Sequence, residues 1–223
     1  MSDRRAKDAL FDALASVAKA LGSGRRAEIV DVLAQGERRV EDLAAEIGQT
    51  VANTSQHLQL LLRTGLVSTR RDGTRVYYSL ASGQVAALWR AMRQLAADQV
   101  AELEALATAY LGDRSELAAI GRDELAERLR VGNVVILDVR PAAEYAAGHL
   151  PGAVNVPPDE IAERLRTVPA EHEIVAYCRG PYCVYADDAV RVLTAAGRPA
   201  MRLVDGYPEW VAAGLPIVNA ATA

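Results

Sequence analysis

Only two cysteines occur in 223 residues, and both stand in YCRGPYC at 177–183, as Cys178 and Cys183. Two thiols this close, in a chain expected where thiols are kept reduced, suit a reactive or metal-binding role better than structural cross-linking. The apolar run EIVAY at 173–177 predicts a strand that stops at the loop, and a helical pattern resumes near 185. A loop curled ahead of a helix turns backbone N–H groups toward an anion, and that field favours thiolate over thiol. Arg179 adds positive charge beside it. A Cys178 thiolate in this setting is a nucleophile toward electrophilic sulfur and a holder of a terminal persulfide. Phosphoryl transfer would need an arginine to grip the phosphate, and six positions after Cys178 stands Val184. That chemistry is therefore not expected.

A second group of polar residues lies far upstream. In TVANTSQHLQLLLRTG, Leu58, Leu61 and Leu62 predict a buried helix side, which leaves Asn53, Thr54, Ser55, Gln56, His57 and Gln59 along the N-terminal part as readers of a surface. Next, LVSTRRDGTRVYYSL alternates apolar and polar residues about Asp72-Gly73, whose positive φ angles would close a tight hairpin. Arg70, Arg71 and Arg75 stand at its tip, placed for phosphate contact.

The elements that must carry these residues follow from periodicity. Residues 7–21 and about 25–34 read as amphipathic helices, then 39–48 and 51–63 as the two helices of a helix-turn-helix, each closed by a glycine. With the basic hairpin this is a winged-helix arrangement. A single long helix is expected from Gly83 to Leu111, with an apolar stripe through Val85, Leu88, Met92, Leu95, Leu103, Leu106 and Tyr110. Together with the first helix, this fifth helix is the expected homodimer interface. After GDRS at 112–115 the pattern changes to alternating strands (134–139, 154–156, 174–177, 201–204) and helices (about 159–167 and 185–196). Such alternation implies a small parallel sheet covered by helices. The expected organisation is thus a winged helix-turn-helix over 1–111, a linker at 112–117 and an α/β domain over 118–223.

Composition agrees with two globular domains. Apolar residues make up 51% and charged residues 24%, and no apolar run approaches the about 18–20 residues of a membrane span. The opening MSDRRAKDAL lacks an apolar signal core, so the chain is expected in the cytoplasm. The net charge of −4 divides unevenly: residues 1–81 carry twelve bases and ten acids (+2), and the rest thirteen and nineteen (−6). A small positive excess excludes little, and placement of the arginines carries more weight.

ILDVRPAAEYAAGHLPGAVNVP, AYCRGPYC and LVDGYPEWVAAGLPI, in that order over about 118–218, resemble a rhodanese domain. The resemblance implies that Cys178 is the sulfur-carrying cysteine, that 179–183, including Arg179, Gly180 and Tyr182, cradle its outer sulfur, and that Asp138 and Arg140 stand at a strand end beside the site. His149 would belong to a framework segment. VANTSQHLQLLLRTGLVSTRRDGTRVYYSL resembles the ArsR/SmtB family of dimeric winged-helix repressors, which implies that 51–63 is the DNA-reading helix and that Arg70, Arg71 and Arg75 lie on the wing. Metal-sensing members carry cysteines on the helix equivalent to VEDLAAEI, or acids and histidines on the last helix. Here the first has no cysteine and the second no histidine, and His57 is the lone histidine of the first 111 residues. No metal site and no cofactor are expected.

The expected function is a repressor of double-stranded DNA operators that senses reactive sulfur: Cys178 accepts sulfur from a small donor such as a persulfide, polysulfide or thiosulfate. Cys183 then resolves it to a disulfide or a sulfur-bridged link. Asp138 and Arg140 either serve that chemistry or form a structural ion pair. Two other functions fit the same residues, a sulfurtransferase tethered to a DNA-binding dimer and a repressor responsive to arsenite or another thiophilic ion.

Overall fold

The computed structural model describes residues 3–132, 134–157, 160–164 and 172–219. The chain forms two compact units, Met1–Gln94 and Leu95–Ala223.

In the first, α1 (Arg4–Leu21) and α2 (Gly24–Leu33) are followed by β1 (Arg38–Arg39), α3 (Val40–Glu46) and α4 (Val51–Arg63). Leucine spacing decides how α4 sits: Leu58 and Leu61 are fully buried with Ile29, Val30, Leu43 and Ile47. The turn between α3 and α4 uses Gly48 at φ +60, and Thr50 caps α4 by accepting the Asn53 N–H at 3.2 Å. β2 (Val67–Asp72) and β3 (Arg75–Leu80) form the wing, and β1 adds a third antiparallel strand in the order β1-β3-β2. Asp72 pairs with Arg75, so the turn residues are Gly73 and Thr74. Gly73 takes a positive φ of 58°, whereas the expectation gave that conformation to Asp72 as well. Among the described residues no non-glycine adopts it.

The expected helix over 83–111 is two helices. α5 (Gly83–Gln99) ends where the Val100 N–H bonds Ala96, and α6 (Leu103–Leu111) restarts after a turn closed by Leu103 N–H to Val100 O at 3.0 Å. Neither Pro nor Gly marks the break, so pattern alone could not find it. Leu111, at the end of α6, is buried in the second unit, and its carbonyl accepts from Arg191 at 3.3 Å.

The second unit continues with β4 (Ala119–Ile120), α7 (Arg122–Val131), β5 (Val134–Asp138), α8 (Ala142–Ala147), β6 (Val154–Asn155) and α9 (Ile161–Arg164). Then come β7 (Glu173–Tyr177), α10 (Val184–Ala195), β8 (Ala200–Leu203) and α11 (Tyr207–Ala212). The remainder of the helix expected at 159–167 lies outside the described residues. The five strands are parallel, in the order β4-β8-β7-β5-β6. Alternate residues of β7 enter opposite cores: Ile174 and Ala176 pack with Val190 and Leu193 of α10, Val175 and Tyr177 with Leu125 of α7 and Trp210 of α11. A strand buried on both faces reads as one continuous apolar run, which is why EIVAY was recognisable. The two-domain fold, a winged helix-turn-helix followed by an α/β domain with a small parallel sheet, is the expected one.

Candidate functional site: the cysteine loop and the reading helix

In an open parallel sheet the strand ends open onto the site, and β7 is the central strand. Its last residue, Tyr177, delivers Cys178 directly into the loop, and Cys183 is the residue before α10. Cys178 is 2% exposed, and 179–183 are half-buried. The two cysteines are joined in a disulfide with Cα atoms 6.3 Å apart, inside the about 7 Å that such a bond spans.

The loop is held from three sides. Internally, Gly180 O accepts the Cys183 N–H at 3.2 Å. From α11, the Tyr207 N–H donates to Cys178 O at 3.1 Å, and Gly206 lies so near that an added Cβ would stand 2.3 Å from Gly180 N and 2.4 Å from the Arg179 carbonyl carbon. From the segment before β4, Arg114 Nη1 donates to Pro181 O at 2.8 Å and Nη2 to Cys183 O at 3.4 Å, while Nε meets the buried Asp187 carboxylate at 2.5 Å. Sequence reading missed both Gly206 and Arg114. Their partners lie across the fold, and no local pattern announces them.

Arg179 does not stand free beside the sulfur. Its guanidinium grips the fully buried Glu144 of α8, Nη2 to Oε1 at 2.6 Å and Nε to both oxygens at 3.0 and 3.1 Å. Its charge is thereby matched by a carboxylate that the sequence analysis did not single out. Tyr182 is half-buried at the turn of the loop.

Asp138 and Arg140 pair with each other, both with no solvent exposure. Arg140 donates from N and Nε to Asp138 Oδ1 at 3.0 Å, and from Nη2 to Oδ2 at 2.6 Å and to Gly148 O at 2.7 Å. The Tyr177 hydroxyl donates to Asp138 and accepts the Leu150 N–H at 3.1 Å. Burial, with the Asp138 charge beside it, drives the Tyr177 phenol far above its ordinary range. Burial works against the Arg140 charge, yet its bonds to Asp138 outweigh that and hold it protonated. These residues tie β5, β7 and the 148–150 segment together beneath the loop, and neither charged group presents an atom to solvent. His149 belongs to the same framework, stacked on Tyr145 at 3.8 Å.

On the first unit, Asn53, Gln56 and Gln59 are exposed along α4, and Ser55 and His57 are half-buried. Thr54, expected on the exposed side, is fully buried: its hydroxyl donates back to Thr50 O at 3.0 Å, four residues earlier. On the wing, Arg71 and Arg75 are exposed. Arg70 differs, because its Nε donates to Glu37 Oε2 at 3.1 Å and its guanidinium lies 4.7 Å from the Tyr77 ring centre. The bonds from Arg70 lower the Glu37 pKa.

Among the described residues, no group of three or more His, Cys, Asp or Glu is placed to hold a metal, and no helix is long and apolar enough to cross a membrane.

Comparison with known proteins assigns both units. Residues 23–69 match the model of the bacterial regulatory protein, arsR family, and residues 121–213 that of the rhodanese-like domain. The HTH-type transcriptional regulator Rv0324 of Mycobacterium tuberculosis is 48% identical over 99% of this chain and 96% of its own length. A sulfurtransferase of Allochromatium vinosum is 33% identical over 44% of this chain and 92% of its own. A solved homodimeric winged helix-turn-helix DNA-binding domain from Mycobacterium bovis is 49% identical over 44% of this chain and 89% of its own, with a TM-score of 0.40. With similarity to a regulator running through both units, the chain belongs to the HTH-type transcriptional regulators of the arsR family that carry a C-terminal rhodanese-like domain.

Proposed function

We propose that this regulator is a homodimeric repressor that responds to reactive sulfur through Cys178, with Cys183 as the resolving thiol. The observation that carries the reading is the joined pair itself: Cys178 and Cys183 close on each other within one loop, Cα atoms 6.3 Å apart, directly ahead of α10. In the dithiol form, the Cys178 thiolate attacks the outer sulfur of a persulfide RSSH. That S–S bond breaks, RS⁻ leaves, and Cys178 holds –SSH. The Cys183 thiolate then attacks Cys178 Sγ and displaces hydrosulfide, which leaves the disulfide. The electrons given up by the two thiols depart on the hydrosulfide and RS⁻, so no further oxidant is needed.

DNA is held by Asn53, Gln56 and Gln59 of α4 against base edges, with Arg71 and Arg75 of the wing on phosphate. A switch of operator occupancy needs a coupling of about 1–3 kcal/mol between loop and DNA, an ordinary allosteric size. The test is binding of the purified protein to the DNA upstream of its own gene, before and after a persulfide donor. A change in the wild type that is absent in Cys178→Ser is the expected result; equal binding in all four conditions overturns the reading.

Similarity of the C-terminal unit to a sulfurtransferase favours a second reading, a transferase tethered to a DNA-binding dimer. The resolving thiol discriminates the two. If transfer to an external acceptor is the activity, Cys183→Ser raises turnover from thiosulfate, because no internal thiol then intercepts the persulfide. A Cys183→Ser protein with no turnover removes the transferase reading.

A further inference from the structure

Arg114 occupies an unusual position for a residue of the irregular segment between α6 and β4, inside the second unit. It was expected in a linker, yet its side chain is four-fifths buried and bonds the cysteine loop and the first turn of α10. The anchor is Asp187, 1% exposed, a carboxylate that needs cations around it in the interior. Arg114 supplies one at 2.5 Å and Arg202 a second at 3.6 Å. With Nε fixed on Asp187, the planar fork presents Nη1 and Nη2 to two carbonyls of the loop, those of Pro181 and Cys183. A guanidinium fork meets several acceptors in one geometry only, so it registers small displacements that a lysine would tolerate. A second contact lies one turn along α10, where Arg191 Nη2 donates to Leu111 O and Asp113 O, both at 3.3 Å. The residues 111–114 are therefore gripped by the helix whose first residue follows Cys183. On the other side, the same segment continues through α6 into α5, whose residues Gly83–Gln94 belong to the first unit.

We propose that Arg114 is a positioning residue that transmits the bonding state of the cysteine loop to the segment between α6 and β4: when the Cys178–Cys183 bond opens, the Pro181 and Cys183 carbonyls leave the Arg114 fork and residues 111–117 loosen. The consequence for DNA rests on the sulfur-responsive reading above; the coupling of loop to segment does not.

The experiment is amide hydrogen exchange on the full chain, in the disulfide form and after dithiothreitol, for wild type and Arg114→Lys. The lysine keeps a cation on Asp187, so the fold is retained, but it cannot hold both carbonyls and the carboxylate in the fork geometry. In the wild type, exchange over 111–117 rises about threefold or more on reduction, and in Arg114→Lys the two forms exchange alike. Wild-type exchange indifferent to reduction overturns the proposal, as does an Arg114→Lys protein that keeps the full difference. In parallel, the same proteins are titrated with upstream DNA, with and without persulfide donor. A wild-type change of about tenfold that shrinks to within about twofold in Arg114→Lys supports the coupling through to DNA. The exchange pattern with unchanged wild-type DNA affinity removes the sulfur switch and leaves the Arg114 coupling standing.

Discussion

Gly206 lies in ordinary extended backbone, so its need for glycine is one of space and not of conformation. A methyl group there would meet Gly180 N and the Arg179 carbonyl at 2.3–2.5 Å, against backbone atoms that have no rotamer to yield. Gly206→Ala is expected to destabilise the C-terminal unit by about 1–3 kcal/mol, read as a lower denaturation midpoint. It should also slow closure of the Cys178–Cys183 bond, followed by thiol titration after reduction; a variant with wild-type midpoint and closure rate would refute the contact. Residues legible from sequence were those whose meaning is local. The cysteine pair and its strand-loop-helix setting lie within twelve positions of one another, and Asp138 and Arg140 are two apart. Glu144, Arg114 and Gly206 escaped because each acts on a partner 26 or more positions away, and nothing in the types E, R or G states which partner that is. Thr54 was misread for the opposite reason: a bond to its own helix turned it inward.

The wing shows how an element sorts three similar residues. Arg70, on β2, bonds Glu37, which stands just before β1, and lies over Tyr77 of β3, whereas Arg71 and Arg75 project from the tip. Arg71→Ala and Arg75→Ala should each lower the salt dependence of DNA affinity by about 0.9 in log–log slope, and Arg70→Ala should leave it nearly unchanged. Glu37→Gln releases Arg70 and should steepen the slope by a similar amount. Equal slopes for all four variants would mean that the wing does not touch phosphate. The sign of the pH dependence follows from the lowered Glu37 pKa. The folded protein favours the carboxylate, so this pair's small stabilisation is full above the unfolded value of about 4.3 and disappears as pH falls through the lower folded value. Thermal melts of Glu37→Gln should converge on wild type at the acid end. Helices α1 to α4 and the hairpin were legible through period and punctuation. The break between α5 and α6 was not, since neither Gly nor Pro occurs there and the apolar stripe runs on across Val100.

At the scale of the molecule, Leu10, Phe11 and Leu14 of α1 are each more than half exposed, apolar side chains left for a partner to cover. The protein is expected to sediment as a dimer, and Leu10→Asp with Leu14→Asp as a monomer with weakened DNA binding; a wild-type monomer would sink the dimeric reading. The division of charge was visible in composition, +2 over residues 1–81 and −6 beyond. Less visible was that the segment expected as a tether is bonded along α10, because tethering and docking segments share a composition.

The order of elements also has a meaning for synthesis. Cys178 and Cys183 leave the ribosome before β8 and α11, which supply a neighbour to the central strand and the Tyr207 N–H and Gly206 backbone that seat the loop. A nascent chain therefore carries two unshielded thiols until its final strand and helix dock. Anything that stalls translation or clips the chain before Gly206 would release a protein whose first unit is finished and whose cysteine loop lacks the Gly206 and Tyr207 contacts that seat it.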